Sequence, residues 1–377
     1  MRSQGSEHLF FRHFTRQGPI DGLCILLVTH LLPDRPHFIQ ALAQIGRIGA
    51  ILPKPKSAHG ETLAWACQHF PVLELNRQWS NCPQQVVARI APLVAAHERL
   101  VILDIGGYFA RTQAQLTEFF GPRFLGVVEM TENGHQRYAL EPLVSAVLSV
   151  ARSPLKQAED IQIGLSVVYS AESLVRTLNR TLNRTFNVCQ AALFGYGKVG
   201  RSIARELRCR NLHLDLVETD ELRQVEALSH GFSLVDKAQA LARAELVVCS
   251  TGNGSLNLED LAALRPGVML ASVTSADDEF AFNLAELPWP SEEVCPHVLA
   301  LSRPDGSTIF LLNRGEAVNF VHGAVIGEYV YLVLAEIIEG MRLLAEFPMV
   351  PGLRELPPDL MRTIARHWLA DFHGVTQ

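Results

Sequence analysis

The chain has 377 residues, is 48% hydrophobic and 19% charged, and carries a formal net charge of −6. That length suits two domains, each able to bury its own core. The acidic balance excludes a general surface for nucleic acid or anionic membrane. The polar N-terminus has no signal-peptide apolar core, and the long apolar stretch from Gly327 to Glu346 carries Glu328, Glu336 and Glu339, which argues against a membrane span. The seven cysteines show no CxxC pair and no metal-ligand rhythm, so reduced thiols in a cytoplasmic protein without a metal are expected.

Read in chain order, Leu9 to Phe14 forms one amphipathic turn. Cys24 to Thr29 reads as a strand, and Pro33-Asp34 opens a helix to about Ile45. Arg47 to Leu52 is a strand ending at the breaker Pro53-Lys54-Pro55. His59 to His69 and Gln84 to Ala96 read as helices. Leu100 to Asp104 is a strand stopped by Gly106-Gly107, and Phe124 to Val128 is another. Pro142 to Val150 and Ala171 to Leu182 are expected to be helical. The second of these repeats Arg-Thr-Leu-Asn from Arg176 to Arg184, placing arginines on one face, either as a solvated surface or as a phosphate-binding stripe.

Val188 to Phe194 then reads as a buried strand, and a helical pattern runs from Lys198 to Leu207. Strands follow at Leu212 to Val217, Glu245 to Cys249, Val268 to Val273 and Thr308 to Leu312. The tail is helical from about Asp359 to Phe372. Strands alternating with helices imply α/β architecture with two open parallel sheets. The expected division is a dinucleotide-binding domain over 187–320 and a flavodoxin- or Rossmann-like substrate domain made of 1–186 and 321–377, with a hinge on either side.

The strongest chemical signal is Gly195-x-Gly197-x-x-Gly200 between the strand and the helix. Gly195 allows the tight turn, Gly197 lets backbone approach a pyrophosphate, and Gly200 lets helix pack on strand. Lys198 and Val199 open the helix, whose N-terminus favours an anion. Glu218 ends the next strand, where it can accept from both ribose hydroxyls and repel a 2′-phosphate. NAD is therefore expected rather than NADP.

From about Cys24 to Glu346 the chain resembles the S-adenosylhomocysteine hydrolase family. Ser250-Thr251-Gly252-Asn253 is similar to that family's Thr-Gly-Asn turn, and Leu311 to Asn319 is similar to its closing segment. The resemblance implies NAD contacts from Thr251, Asn253 and Asn319, with Thr131 and Asn133 reaching across a cleft. Ser275, where the family places a histidine beside the sugar, is grouped with these contacts. Lys156-x-x-x-Asp160 matches the family's Lys-x-x-x-Asp, with Gly164 supporting the register, and implies a lysine beside a reacting hydroxyl and a carboxylate orienting the substrate. His30, at the end of the first strand, matches an active-site histidine. The implied chemistry is oxidation of a ribose hydroxyl by tightly held NAD, elimination and addition across the activated carbon, and return of the hydride.

The chain departs from the pattern on the substrate side. Ile105 and Met130 stand where the family has acids, and Ile326 stands where it has a histidine; His322 lies on the same loop. Asp104 is expected to order a turn. Losing a positioned acid or base typically costs about 10²–10⁴-fold in rate. Three functions stay open: an NAD-dependent enzyme oxidising a secondary hydroxyl of an altered small-molecule substrate, a non-catalytic NAD-binding sensor or assembly subunit, and a true S-adenosylhomocysteine hydrolase with compensating residues. The family's partner-clasping tail has no match in Asp371 to Gln377. A homodimer is expected, with exposed apolar parts of the long helix as its contact.

Overall fold

The computed structural model describes residues 6–183, 188–274, 276–324 and 326–375, so Arg184 and Ser275 lie outside the described residues. The strands, in chain order, are β1 (Leu23–Leu31), β2 (Arg47–Ala58), β3 (Arg99–Asp104), β4 (Phe124–Glu129), β5 (Ala146–Ser149), β6 (Gln190–Phe194), β7 (His213–Val217), β8 (Ser233–Leu234), β9 (Leu246–Cys249), β10 (Met269–Ser272), β11 (Ser291–Cys295), β12 (Val298–Ser302), β13 (Thr308–Leu312) and β14 (Gly352–Arg354). The chain forms two compact units, Met1–Glu159 with Gly327–Gln377, and Asp160–Ile326.

The first unit holds a parallel sheet in the order β14-β5-β4-β3-β1-β2. Its inner strands are continuous apolar runs, such as Leu23 to Val28, because a parallel sheet is covered on both faces. β2 runs through Pro53 and Pro55 to Ala58 rather than stopping at Leu52. It is an edge strand, where the missing proline N–H faces no ladder partner.

Two helix expectations are corrected. Residues 146–149 are strand β5, buried between β4 and β14. A short, fully buried parallel strand carries no alternation to tell it from a helix. The helix expected from Ala171 begins seventeen residues earlier, as one element, Pro154–Leu182. Pro154 sits in its first turn, where a missing N–H costs no intrahelical bond.

The long apolar helix is Tyr329–Glu346, and most of it is buried, including Glu336 and Arg342. It therefore offers no broad exposed apolar face, which overturns the expected dimer contact. Exposed apolar positions elsewhere include Leu222, Val225 and Leu228 on the helix Glu221–Ser229. No helix among the described residues is long and apolar enough to cross a membrane.

The second unit holds a sheet in the order β11-β12-β13-β10-β9-β6-β7-β8. It is parallel except for the antiparallel β11–β12–β13 meander. The buried face of Pro154–Leu182, from Val167 to Leu178, packs into this unit's core with Ile203 and Leu207 of the helix Lys198–Cys209. The chain winds from β6 toward β7 and β8 on one side, and toward β9 and β10 on the other. The carboxyl ends of β6 and β9 thus flank a topological switch point, where such sheets bind ligands.

Candidate functional site

At the switch point, each glycine of the fingerprint meets a separate steric demand. Gly195 has φ +93° and donates its N–H to the Val217 carbonyl at 2.9 Å. A Cβ on Gly200 would overlap the Gly195 carbonyl oxygen, so only glycine lets the helix start this close to the turn. A Cβ on Gly197 would meet nothing nearer than Arg223 Nη1 at 3.9 Å. That open space lies before the first turn of Lys198–Cys209, whose amides have no intrahelical acceptor. The cradle fits a pyrophosphate.

Glu218 closes one side. Its carboxylate accepts from the backbone N–H of Tyr196 at 2.6 Å, Thr219 at 2.7 Å and Asp220 at 3.0 Å. These bonds fix the acid against the glycine turn and leave lone pairs for ribose hydroxyls.

On the other side, the Thr-Gly-Asn turn is held by a carboxylate that the sequence reading missed. Glu279 is fully buried and accepts from Thr251 N–H at 3.0 Å, Thr251 Oγ1 at 2.8 Å and Gly252 N–H at 2.9 Å. It also accepts from Thr274 Oγ1 at 2.8 Å. Thr251 Oγ1 in turn accepts from Asn253 N–H at 3.1 Å. Beside the end of β10, where Ser272 bridges Ala317, Asn319 is buried with its side-chain oxygen unpartnered among the described residues. An orphaned amide oxygen at this edge suits an incoming amide N–H, as the carboxamide of a nicotinamide provides. His322 Nδ1 lies 3.0 Å from Ser170 Oγ.

The candidates of the first unit lie at the carboxyl edge of its sheet. His30, ending β1, donates from Nδ1 to Ser57 Oγ at 2.7 Å; that hydroxyl itself donates to the Lys54 carbonyl. Burial, then the charges of Lys54 and Arg35, hold His30 well below the ordinary histidine range. It is a neutral imidazole at pH 7.

The turns after β3 and β4 are tied by two buried carboxyls. Asp104 Oδ2 accepts from Phe109 N–H and Tyr138 Oη, both at 2.9 Å. Glu129 accepts from Gly106 N–H at 3.1 Å and Gly107 N–H at 3.0 Å. Both N–H and Oγ1 of Thr131 reach it at 2.7 Å. Burial raises both carboxyls, and the Asp104 charge raises Glu129 further. Thr131 also caps the helix Glu132–Ala139, accepting from Gly134 N–H at 3.1 Å, so its hydroxyl serves its own turn. Ile105 and Met130, at the family's acid positions, are buried.

Lys156 and Asp160 lie one turn apart on Pro154–Leu182, both largely buried. The Lys156 ammonium lies 2.6 Å from Glu159 Oε2, another acid the sequence reading passed over. Gly164 has no room for a Cβ beside Ser202, whose Oγ donates to the Ile161 carbonyl at 2.8 Å, so the two helices lie in direct contact there. Among the described residues, no three His, Cys, Asp or Glu side chains are grouped to hold a metal.

Residues 167–325 match the family described as S-adenosyl-L-homocysteine hydrolase, NAD binding domain. The chain is 25% identical to the adenosylhomocysteinase of Sulfurisphaera tokodaii, over 82% of this chain and 74% of that one. It is 26% identical to that of Thermotoga maritima, over 82% and 76%. It is 23% identical to the S-inosyl-L-homocysteine hydrolase of Methanopyrus kandleri, over 93% and 84%. These matches support a divergent member of the S-adenosyl-L-homocysteine hydrolase superfamily. NAD is the cofactor of its second unit.

Proposed function

We propose that this superfamily member is an NAD-dependent enzyme that oxidises a secondary hydroxyl of a small substrate other than S-adenosylhomocysteine, with elimination following where the carbon beside the new carbonyl carries a proton and the next carbon a leaving group. The observation that carries this reading is an asymmetry. The cofactor side keeps its geometry, with Gly197 open and Asn319 unsatisfied, while the acid positions Ile105 and Met130 are packed, buried apolar side chains. The relatives named for adenosyl and inosyl thioethers differ in their base, so substrate change within the superfamily has support.

When bound, the nicotinamide supplies a hydride acceptor. The protein's own residues do the rest. Lys156 would face the substrate hydroxyl and stabilise developing negative charge on its oxygen. Asp160 would accept a neighbouring hydroxyl and fix its orientation. His30, neutral and donating from Nδ1 to Ser57, would stand beside the substrate as an uncharged imidazole. An apolar wall at Ile105 and Met130 leaves extra hydroxyls unsatisfied, which favours a less hydroxylated substrate.

The test is direct. Purified protein should carry NAD, and addition of candidate alcohols and nucleosides should raise the near-ultraviolet absorbance of NADH. Lys156→Ala should keep NAD and lose this reduction; normal reduction by that variant would overturn the assignment. A cofactor silent across a broad panel would favour a non-catalytic NAD-binding protein, the reading that the two lost acids also support. Release of thiol from S-adenosylhomocysteine would restore the family's own reaction. Location in the cytoplasm and assembly as a homodimer belong to the same proposal, checked by fractionation and by sedimentation.

A further inference from the structure

Lys156 does not stand alone. It rides on the first turn of Pro154–Leu182, and its backbone N–H donates to Ser153 Oγ at 3.0 Å. That hydroxyl donates onward to Glu336 Oε2 at 2.8 Å, on the distant helix Tyr329–Glu346. The Lys156 ammonium meets Glu159 Oε2 at 2.6 Å. Ser153, Lys156, Glu159 and Glu336 are 2%, 8%, 3% and 0% exposed. The other Glu336 oxygen has no hydrogen-bond partner among the described residues. A solvent-facing i,i+3 ion pair is worth a few tenths of a kcal/mol and specifies little. A buried one differs, because removing either member strands the other charge in a poorly solvated place.

We propose that Glu159 and the Ser153–Glu336 pair are the positioning groups for Lys156: Glu159 fixes the ammonium's direction and charge, and Glu336 anchors the turn that carries it. Two elements far apart in the chain converge on one lysine, which a chance surface pairing would not produce. Burial raises Glu336 to about 8, with Glu159, Lys156 and Glu355 as its charged neighbours, so at neutral pH it is an uncharged anchor beside the charged pair. An ammonium already matched by a carboxylate gains little from an anion. The arrangement therefore suits a substrate presenting an uncharged hydroxyl rather than a carboxylate or phosphate. Its catalytic meaning rests on the reading of Lys156 above; the positioning itself does not.

The chain has only five lysines, Lys54, Lys56, Lys156, Lys198 and Lys237, so isotope-labelled lysine can be followed one signal at a time by NMR in the full-length holoprotein, each signal assigned by Lys→Arg replacement. In Glu159→Gln the Lys156 titration midpoint should fall by about one pH unit or more, because a buried ammonium has lost its countercharge. The other four midpoints should stay in place. Glu159→Asp should move it the same way by less; an unmoved midpoint in whichever of the two folds overturns the role of Glu159. Glu336→Gln, which still accepts from Ser153, should leave the Lys156 chemical shift unchanged, while Glu336→Leu displaces it. Equal effects, or none, overturn the anchoring role. Normal NAD reduction by Lys156→Ala would sink the functional reading and leave these shifts standing, so the two failures are distinguishable.

Discussion

Gly197 and Gly200 lie three residues apart, yet alanine at each should fail in a different way. At Gly200 a Cβ would overlap the Gly195 carbonyl oxygen and reach within 3.0 Å of the Gly195 carbonyl carbon and Ser250 Oγ. Backbone cannot step aside cheaply, so the overpacking should cost about 1–3 kcal/mol before any ligand is added. For a unit of this size that lowers Tm by about 2–12 °C. At Gly197 the backbone is extended, φ −72° and ψ −165°, and the space ahead is empty. Alanine fits there, and apo stability should be unchanged or raised by about 0.4–1 kcal/mol through the unfolded chain. What it loses is room for pyrophosphate. Wild-type protein at one hundred times its NAD Kd gains about 2.7 kcal/mol from the ligand, or about 5–11 °C in Tm. Gly197→Ala should lose about half of that gain or more, with affinity down about tenfold or more. The assay is thermal unfolding of apo protein with and without NAD, backed by calorimetric titration. An apo Tm for Gly200→Ala equal to wild type, or full NAD affinity in Gly197→Ala, would refute this division of labour.

Glu279→Ala should strip acceptors from Thr251 and Gly252, weakening NAD binding by about tenfold or more while the first unit melts as before, as fluorescence titration and unfolding can show. Glu218→Gln keeps an acceptor for Tyr196 but drops the charge, so the ratio of NADP to NAD affinity should rise by about tenfold, read by competitive titration. Tyr138→Phe removes one of the donors on buried Asp104 and should cost about 1–3 kcal/mol, measured by denaturant unfolding. Glu336 is held at about 8 when folded against an ordinary 4.5, so the folded state keeps its proton while the unfolded chain gives it up. Its stabilising effect is full below about pH 4.5, declines as pH rises to about 8 and is absent above; Glu336→Gln should flatten that part of the Tm–pH curve.

The cofactor half was legible because its demands are local. Three glycines and the first turn after β6 interact within a few residues, and spacing alone reports them. β1, β3, β4 and β13 were legible as apolar runs bounded by breakers. β5 was not, since four buried residues have no readable period, and the β11–β12 hairpin carries Glu292 and Glu293 on an exposed edge where an apolar run is missing. The anchoring carboxyls escaped for a different reason. Glu279 holds a turn 28 residues away, and Glu336 meets Ser153 across 183 residues, distances over which sequence spacing carries no geometry. Lys156 had two acids within one helical turn. Spacing favours Asp160 and Glu159 alike, and the fold brings the ammonium to 2.6 Å from Glu159 Oε2. Glu336, flanked by Val330 to Ala335 and by Ile337 and Ile338, is a carboxyl in apolar company, which signals burial.

The two prolines of β2 have a consequence for how copies of this chain can meet. Pro53 and Pro55 blank out donors along one rim of the first sheet, and β14 at the opposite rim is only three residues long. In the second sheet β8 is two residues long and β11 carries neighbouring glutamates. Strand-to-strand recruitment, the usual seed of fibrous aggregation, is thus obstructed at every rim. Any stable self-association must run through side chains on helix or loop surfaces, and should dissolve by point substitution there without touching either backbone ladder.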